Sequence, residues 1–101
     1  MTYCAELVTF TVADTDVETY LQRRAAAIQE VKSAHPALYA VPFCSRRPDG
    51  TWIDVWIYET KDAADAANAD APNLPAFLAM AELLDNVDIE VTEMPLAAEP
   101  V

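Results

Sequence analysis

A chain of 101 residues, 53% apolar and 23% charged, is the size of one domain and too apolar to stay disordered. Its formal net charge of −11 repels phosphate backbones and anionic lipid, which excludes nucleic acid and a membrane surface as partners. No apolar run approaches the ~20 residues that cross a bilayer. The start, Met1-Thr2-Tyr3-Cys4-Ala5-Glu6, lacks the basic residues and apolar stretch of a signal peptide, so a soluble, cytoplasmic protein is expected.

Glu6 to Val12 reads as a first strand, with Val8, Phe10 and Val12 on one side and Leu7, Thr9 and Thr11 on the other. Thr15-Asp16-Val17-Glu18 matches a capping box, in which Thr15 and Glu18 satisfy orphan backbone donors. The helix it opens runs to about His35 and is stopped by Pro36. At ~100° per residue its apolar arc holds Val17, Leu21, Ile28, Val31 and His35, with Arg24 near the centre. Leu38 to Arg46 is a second strand, Pro48-Asp49-Gly50 a turn, and Thr51 to Glu59 a third strand that completes a hairpin. On that strand Ile53, Val55 and Ile57 line one face, and Trp52, Asp54, Trp56 and Tyr58 the other. Both faces are bulky, so both are expected to be covered.

Thr60 caps a second helix, alanine-rich from Lys61 to Asp70, which Pro72-Asn73-Leu74-Pro75 interrupts. It resumes to about Leu84, with Leu74, Phe77, Met80, Ala81 and Leu84 on one side. Val87 to Met94 is the last strand, with Val87, Ile89 and Val91 inward. Residues 95–101 carry no pattern and are expected to form a loose tail.

The order strand-helix-strand-strand-helix-strand predicts an α+β domain over residues 1–94, of the ferredoxin-like β-α-β-β-α-β type. Its four-stranded antiparallel sheet would carry both helices on one face. The third strand's second bulky face then requires another cover, and a two-fold homodimer pairing sheet with sheet supplies it.

Taken together, the element order, the helix ending Ser33-Ala34-His35-Pro36, the hairpin Asp49-Gly50-Thr51-Trp52-Ile53-Asp54-Val55-Trp56 and the proline-broken second helix resemble the dimeric α+β barrel superfamily. The similarity is greatest to its small antibiotic-biosynthesis-monooxygenase-like members, and it covers roughly residues 6 to 94. It implies a dimer with an apolar cleft between sheet and helices. For the cofactor-free oxygenases of the family it implies a substrate whose electron-rich ring activates oxygen, the protein supplying shape, dryness and a group that assists deprotonation. A tryptophan on the strand matching Trp52–Tyr58 recurs in such pockets, and Trp56 fills that place. The family's nearby asparagine has no counterpart, because Asn68, Asn73 and Asn86 lie in or after the broken helix. A haem-degrading relative would need a histidine on the second helix, whereas the only histidine, His35, ends the first.

The candidate catalytic residues are Asp54, Trp56 and His35. Asp54 between two tryptophans is a carboxylate in an apolar setting, suited to act as a base, and His35 has the side chain that titrates nearest neutrality. Arg24, Trp52, Tyr20, Tyr58 and Phe77 are the candidate ligand-binding residues, Arg24 for a phenolate or other anionic oxygen. Against these stand plainer roles: tryptophans as core or interface, Arg24 paired with Asp54, and His35 as a helix cap. Cys4 and Cys44 lack C-x-x-C spacing and are expected as free packing thiols. No metal cluster or nucleophilic triad is visible, and the single glycine, Gly50, leaves no phosphate-cradling loop. Three functions remain open: a cofactor-independent monooxygenase for a hydrophobic phenolic or polyaromatic molecule, a non-catalytic module binding such a ligand, and a structural dimer with no cleft beside Trp56.

Overall fold

The computed structural model describes residues 2–98. In chain order it contains β1 (Thr2–Thr11), a 3-10 turn (Asp14–Asp16), α1 (Val17–Ala34), β2 (Leu38–Ala40), β3 (Cys44–Arg46), β4 (Trp52–Tyr58), α2 (Lys61–Asp70), a 3-10 turn (Ala71–Asn73), α3 (Pro75–Ala81), β5 (Asp85–Pro95) and a 3-10 turn (Leu96–Ala98). The sheet is antiparallel in the order β2-β4-β1-β5, with β3 also on β4. This is the expected ferredoxin-like order with the second strand in two pieces. The break falls at Val41-Pro42-Phe43, where proline has no N–H to give the ladder. A bond from the Val55 N–H to the Phe43 carbonyl (3.4 Å) bridges the gap.

Other local expectations shift. The capping box does not form: Asp14–Asp16 is already a 3-10 turn, and no side chain caps α1 at Asp16. The buried face of α1 centres on Tyr20, Ala27 and Val31, while Leu21 is 43% exposed. Tyr20 reaches the sheet between Phe10 and Trp52, with ring centroids 5.3 and 6.2 Å away. By contrast, Thr60 caps α2 as read, accepting from the Ala63 N–H at 3.0 Å. The tail expected from residue 95 lies in part outside the described residues; within them, β5 reaches Pro95 and the chain then makes the turn Leu96–Ala98.

Register decides which side chains meet. Cys4 pairs with Tyr58, Glu6 with Trp56, Val8 with Asp54 and Phe10 with Trp52. This alternate set faces the helices, and its Cys4, Phe10, Trp52, Trp56 and Tyr58 form the main core with Tyr20, Ala27, Val31 and Met80. The intervening set, Ala5, Val55 and Ile57 with Tyr3, Leu7 and Met94, forms a second cluster built from strands alone.

α3 is positioned from α1. No side chain of its own caps it, but Glu30 accepts from the Ala76 and Phe77 N–H groups at 3.1 and 2.9 Å. A carboxylate there satisfies orphan donors and suits the positive end of the helix dipole. Arg23 completes the clamp, donating to the Ala79 carbonyl at 2.8 Å and pairing with Glu82. Among the described residues no helix is long and apolar enough to cross a membrane.

Candidate functional site

A cavity of about 240 Å³ lies between the helix-facing side of the sheet and the helices. Phe10, Tyr20, Trp56, Tyr58, Phe77 and Met80 are among the residues that line it. Trp56 and Phe77 meet edge to face with centroids 6.3 Å apart, so the clamp on α3 also sets this wall. Val87 and Ile89 form the β5 side and are each 49% exposed. They take the inward register read from the sequence, but they belong to an edge strand and form the rim instead of the core.

Two acids, Asp54 and Glu6, line the cavity. Asp54, only 2% exposed, receives two bonds from Arg24, Nε to Oδ2 and the terminal nitrogen to Oδ1, both 2.9 Å. Such a fork uses the planar guanidinium fully. The Tyr20 hydroxyl donates to Oδ2 at 3.5 Å and lies 3.6 Å from the Cys44 sulfur. Burial, the Cys44 contact and the nearby Asp54 charge push the Tyr20 hydroxyl far above the ordinary phenol range. Asp54 and Arg24 thus form an ion pair, the plainer of the two roles read for them from the sequence.

Glu6 is the second acid, 5% exposed. Its Oε2 accepts from the Asn68 side-chain amide at 2.9 Å. Burial raises its carboxyl above the ordinary value, against the opposing effect of the Asn68 bond. Sequence reading missed this pair, although one signal was present. Continuing the inward set Val8, Phe10, Val12 back by one step puts a charge at Glu6 on the core face, the same anomaly that marked Arg24 and Asp54. Asn68 had been set aside for lying on the second helix, yet that helix delivers it to the cavity.

Other expected site residues separate. Tyr20, Asp54, Trp56, Tyr58 and Phe77 line the cavity together. Trp52 packs beyond Tyr20, with the Arg46 guanidinium 5.8 Å from its ring centroid, and its buried Nε1 has no hydrogen-bond partner among the described residues. His35 lies outside the cavity lining, its Nε2 2.8 Å from Asp70 Oδ2. Cys4 and Cys44 are free thiols, as expected. Among the described residues no cluster of three or more histidine, cysteine or acidic side chains is placed to hold a metal.

In sequence the chain matches no family model and no curated protein. In structure it is similar to a protein named for the antibiotic biosynthesis monooxygenases from Caulobacter crescentus (TM-score 0.72, 16% identity, 90% of this chain and 88% of that one). A protein named for the same group from Nitrosomonas europaea gives 0.71 at 13% identity, over 93% and 90% of the two chains. SnoaB, a cofactor-independent oxygenase from Streptomyces nogalater in an asparagine-to-alanine variant, gives 0.70 at 17%, over 89% and 90%. The chain shares the fold of these proteins named for antibiotic biosynthesis monooxygenases. At these identities the likeness is one of fold. The cavity lies where the resemblance led one to expect a cleft in such a barrel, between sheet and helices, and its chemistry follows from this chain's own side chains.

Proposed function

We propose that the chain is a monooxygenase-like enzyme that admits a hydrophobic phenolic or polyaromatic small molecule to this cavity and oxidises it with dioxygen, without a cofactor. The observation that carries the reading is the cavity itself, with aromatic side chains and two buried acids in its lining. A dry apolar cavity of about 150 Å³ takes up benzene, so one of about 240 Å³ suits two fused rings, with a further ring at the Val87–Ile89 rim. For an anthrone, loss of a ring proton gives an electron-rich anion. Electron transfer to dioxygen and recombination form a carbon–oxygen bond, and loss of water leaves a ketone. One oxygen atom enters the product and the other enters water, while the oxidised carbon supplies all the electrons. Trp56, Tyr58 and Phe77 would hold the ring system, and exclusion of water would favour charge transfer.

Oxygen uptake with a panel of anthrones and hydroquinones, followed beside product mass, tests this. The expected result is uptake above the uncatalysed rate, a product heavier by oxygen, and at least a ten-fold fall in kcat/KM on Trp56→Phe. No uptake across the panel sinks the enzyme reading. The Arg24–Asp54 pairing favours a second reading, a module that binds the same ligands without turnover. Tryptophan quenching with unchanged ligand would then be seen.

The sheet face that carries Tyr3, Leu7 and Met94, the partly buried members of the strand-only cluster, is the face we assign to a second copy, sheet against sheet. Sedimentation should give a dimer for the native chain and a monomer for Leu7→Arg.

A further inference from the structure

We infer that Glu6 and Asn68 form the polar anchor of the cavity, which binds the hydroxyl of a neutral aromatic ligand, accepts its proton at Glu6 Oε1, and excludes aromatic anions. This rests on reading the cavity as a ligand site, and it does not require turnover.

The first support is the state of Glu6. The residue is 5% exposed and lines the cavity. Its single side-chain partner among the described residues, Asn68, engages Oε2, which leaves Oε1 free. That oxygen is not sealed in the core, since Glu6 is not among the residues with a fully buried, unpartnered polar atom, so it is open to the cavity it lines. A hydroxyl on a ring held by Trp56 and Tyr58 can donate to it in place of water.

The second support is charge. Among the described residues Glu6 and Asp54 are the charged side chains of the lining, and the Arg24 guanidinium is spent on Asp54. An aromatic carboxylate would therefore bring a charge into an acidic, low-dielectric space with no counter-ion. A neutral hydroxyl carries no such penalty.

The third support concerns the proton. The groups facing Glu6 are Tyr58 on β4, Cys4 on β1, and Asp65, Lys61 and Asn68 on α2. The β5 residue opposite is the uncharged Val91. Burial and Asp65 raise the Glu6 carboxyl, while Asn68 and Lys61 act the other way. Glu6 is thus a stronger base than an exposed carboxylate. In the transfer the ligand O–H bond breaks and an Oε1–H bond forms. The electron pair stays on the ligand oxygen, and the new acid donates back to it.

Three probes of one size separate the possibilities: 2-naphthol, 2-methoxynaphthalene and 2-naphthoate, titrated at neutral pH by tryptophan quenching. The native chain should bind 2-naphthol at least ten-fold more tightly than 2-methoxynaphthalene and show no saturable binding of 2-naphthoate. Glu6→Leu should abolish the preference for the hydroxyl while retaining the ether. In case Glu6→Leu fails to fold, Glu6→Gln keeps an acceptor of the same shape but cannot take the proton. Bound 2-naphthol, an excited-state acid, should then emit as the neutral species instead of the naphtholate. Equal affinity for naphthol and ether, tight binding of naphthoate, or naphtholate emission retained in Glu6→Gln overturns the anchor and leaves the cavity reading standing. Absence of saturable binding by all three probes overturns both.

Discussion

Asp54 and Glu6 sit on neighbouring strands, on the same face of the sheet and almost equally buried, but the molecule treats them differently. Asp54 has both oxygens bound by a guanidinium. Glu6 has one oxygen bound by a neutral amide. Burial alone therefore does not tell a structural acid from a functional one; the partners do. A charge matched on all sides supports a helix on a sheet, and one matched on a single side is available to a ligand.

The largest test of that contrast is Arg24→Ala. It strands the Asp54 carboxylate in the core, and removing one partner of a buried ion pair costs about 3–5 kcal/mol. Urea unfolding should show this loss, whereas Glu6→Leu should change stability by less than about 1 kcal/mol, since no opposite charge is left behind. Similar losses from the two variants would erase the distinction.

Next comes the wall between them. Glu30→Ala removes the acceptor that fixes the start of α3 and should cost about 1 kcal/mol, the usual value of a lost helix cap. It should also weaken 2-naphthol binding by releasing Phe77. Unchanged affinity would mean that the Phe77 wall is set by something else.

A smaller effect sharpens the picture of Glu6 through pH. Its folded carboxyl titrates above its ordinary value of 4.5. Between those two values the folded protein holds a proton that the unfolded chain has released, so stability falls as pH rises through the window and levels above it. Glu6→Gln lacks this fall. Asp49 and Asp70 are shifted downward and act with the opposite sign, but equally in both proteins. Stability of the native chain relative to Glu6→Gln should therefore decline as pH climbs from about 4.5. A flat difference would show that Glu6 titrates as an ordinary acid.

The smallest expected effect is at His35. Its partner Asp70 is held low by Asn73 and His35, and the pair lies away from the cavity lining. His35→Ala should leave 2-naphthol affinity within a factor of about two. A larger change would return the histidine to the site.

Element order, the proline break in the second helix, the Thr60 cap and the two-sided third strand follow from the sequence alone, because each rests on periodicity or on a residue with one backbone preference. So does the suspicion attached to Arg24 and Asp54, charges at positions where a pattern demands apolar groups. Tertiary structure decided what those charges do. Arg24 and Asp54 are 30 positions apart and Glu6 and Asn68 are 62 apart, and only strand register and helix docking bring such groups to 2.9 Å. The Thr15 box failed because the chain entering α1 had already tightened into a 3-10 turn, a choice made by local geometry over residue type. Val87 and Ile89 kept their inward register yet became a rim, since an edge strand is covered only as far as its neighbours extend. Periodicity names the face a side chain takes, and packing alone says what stands opposite.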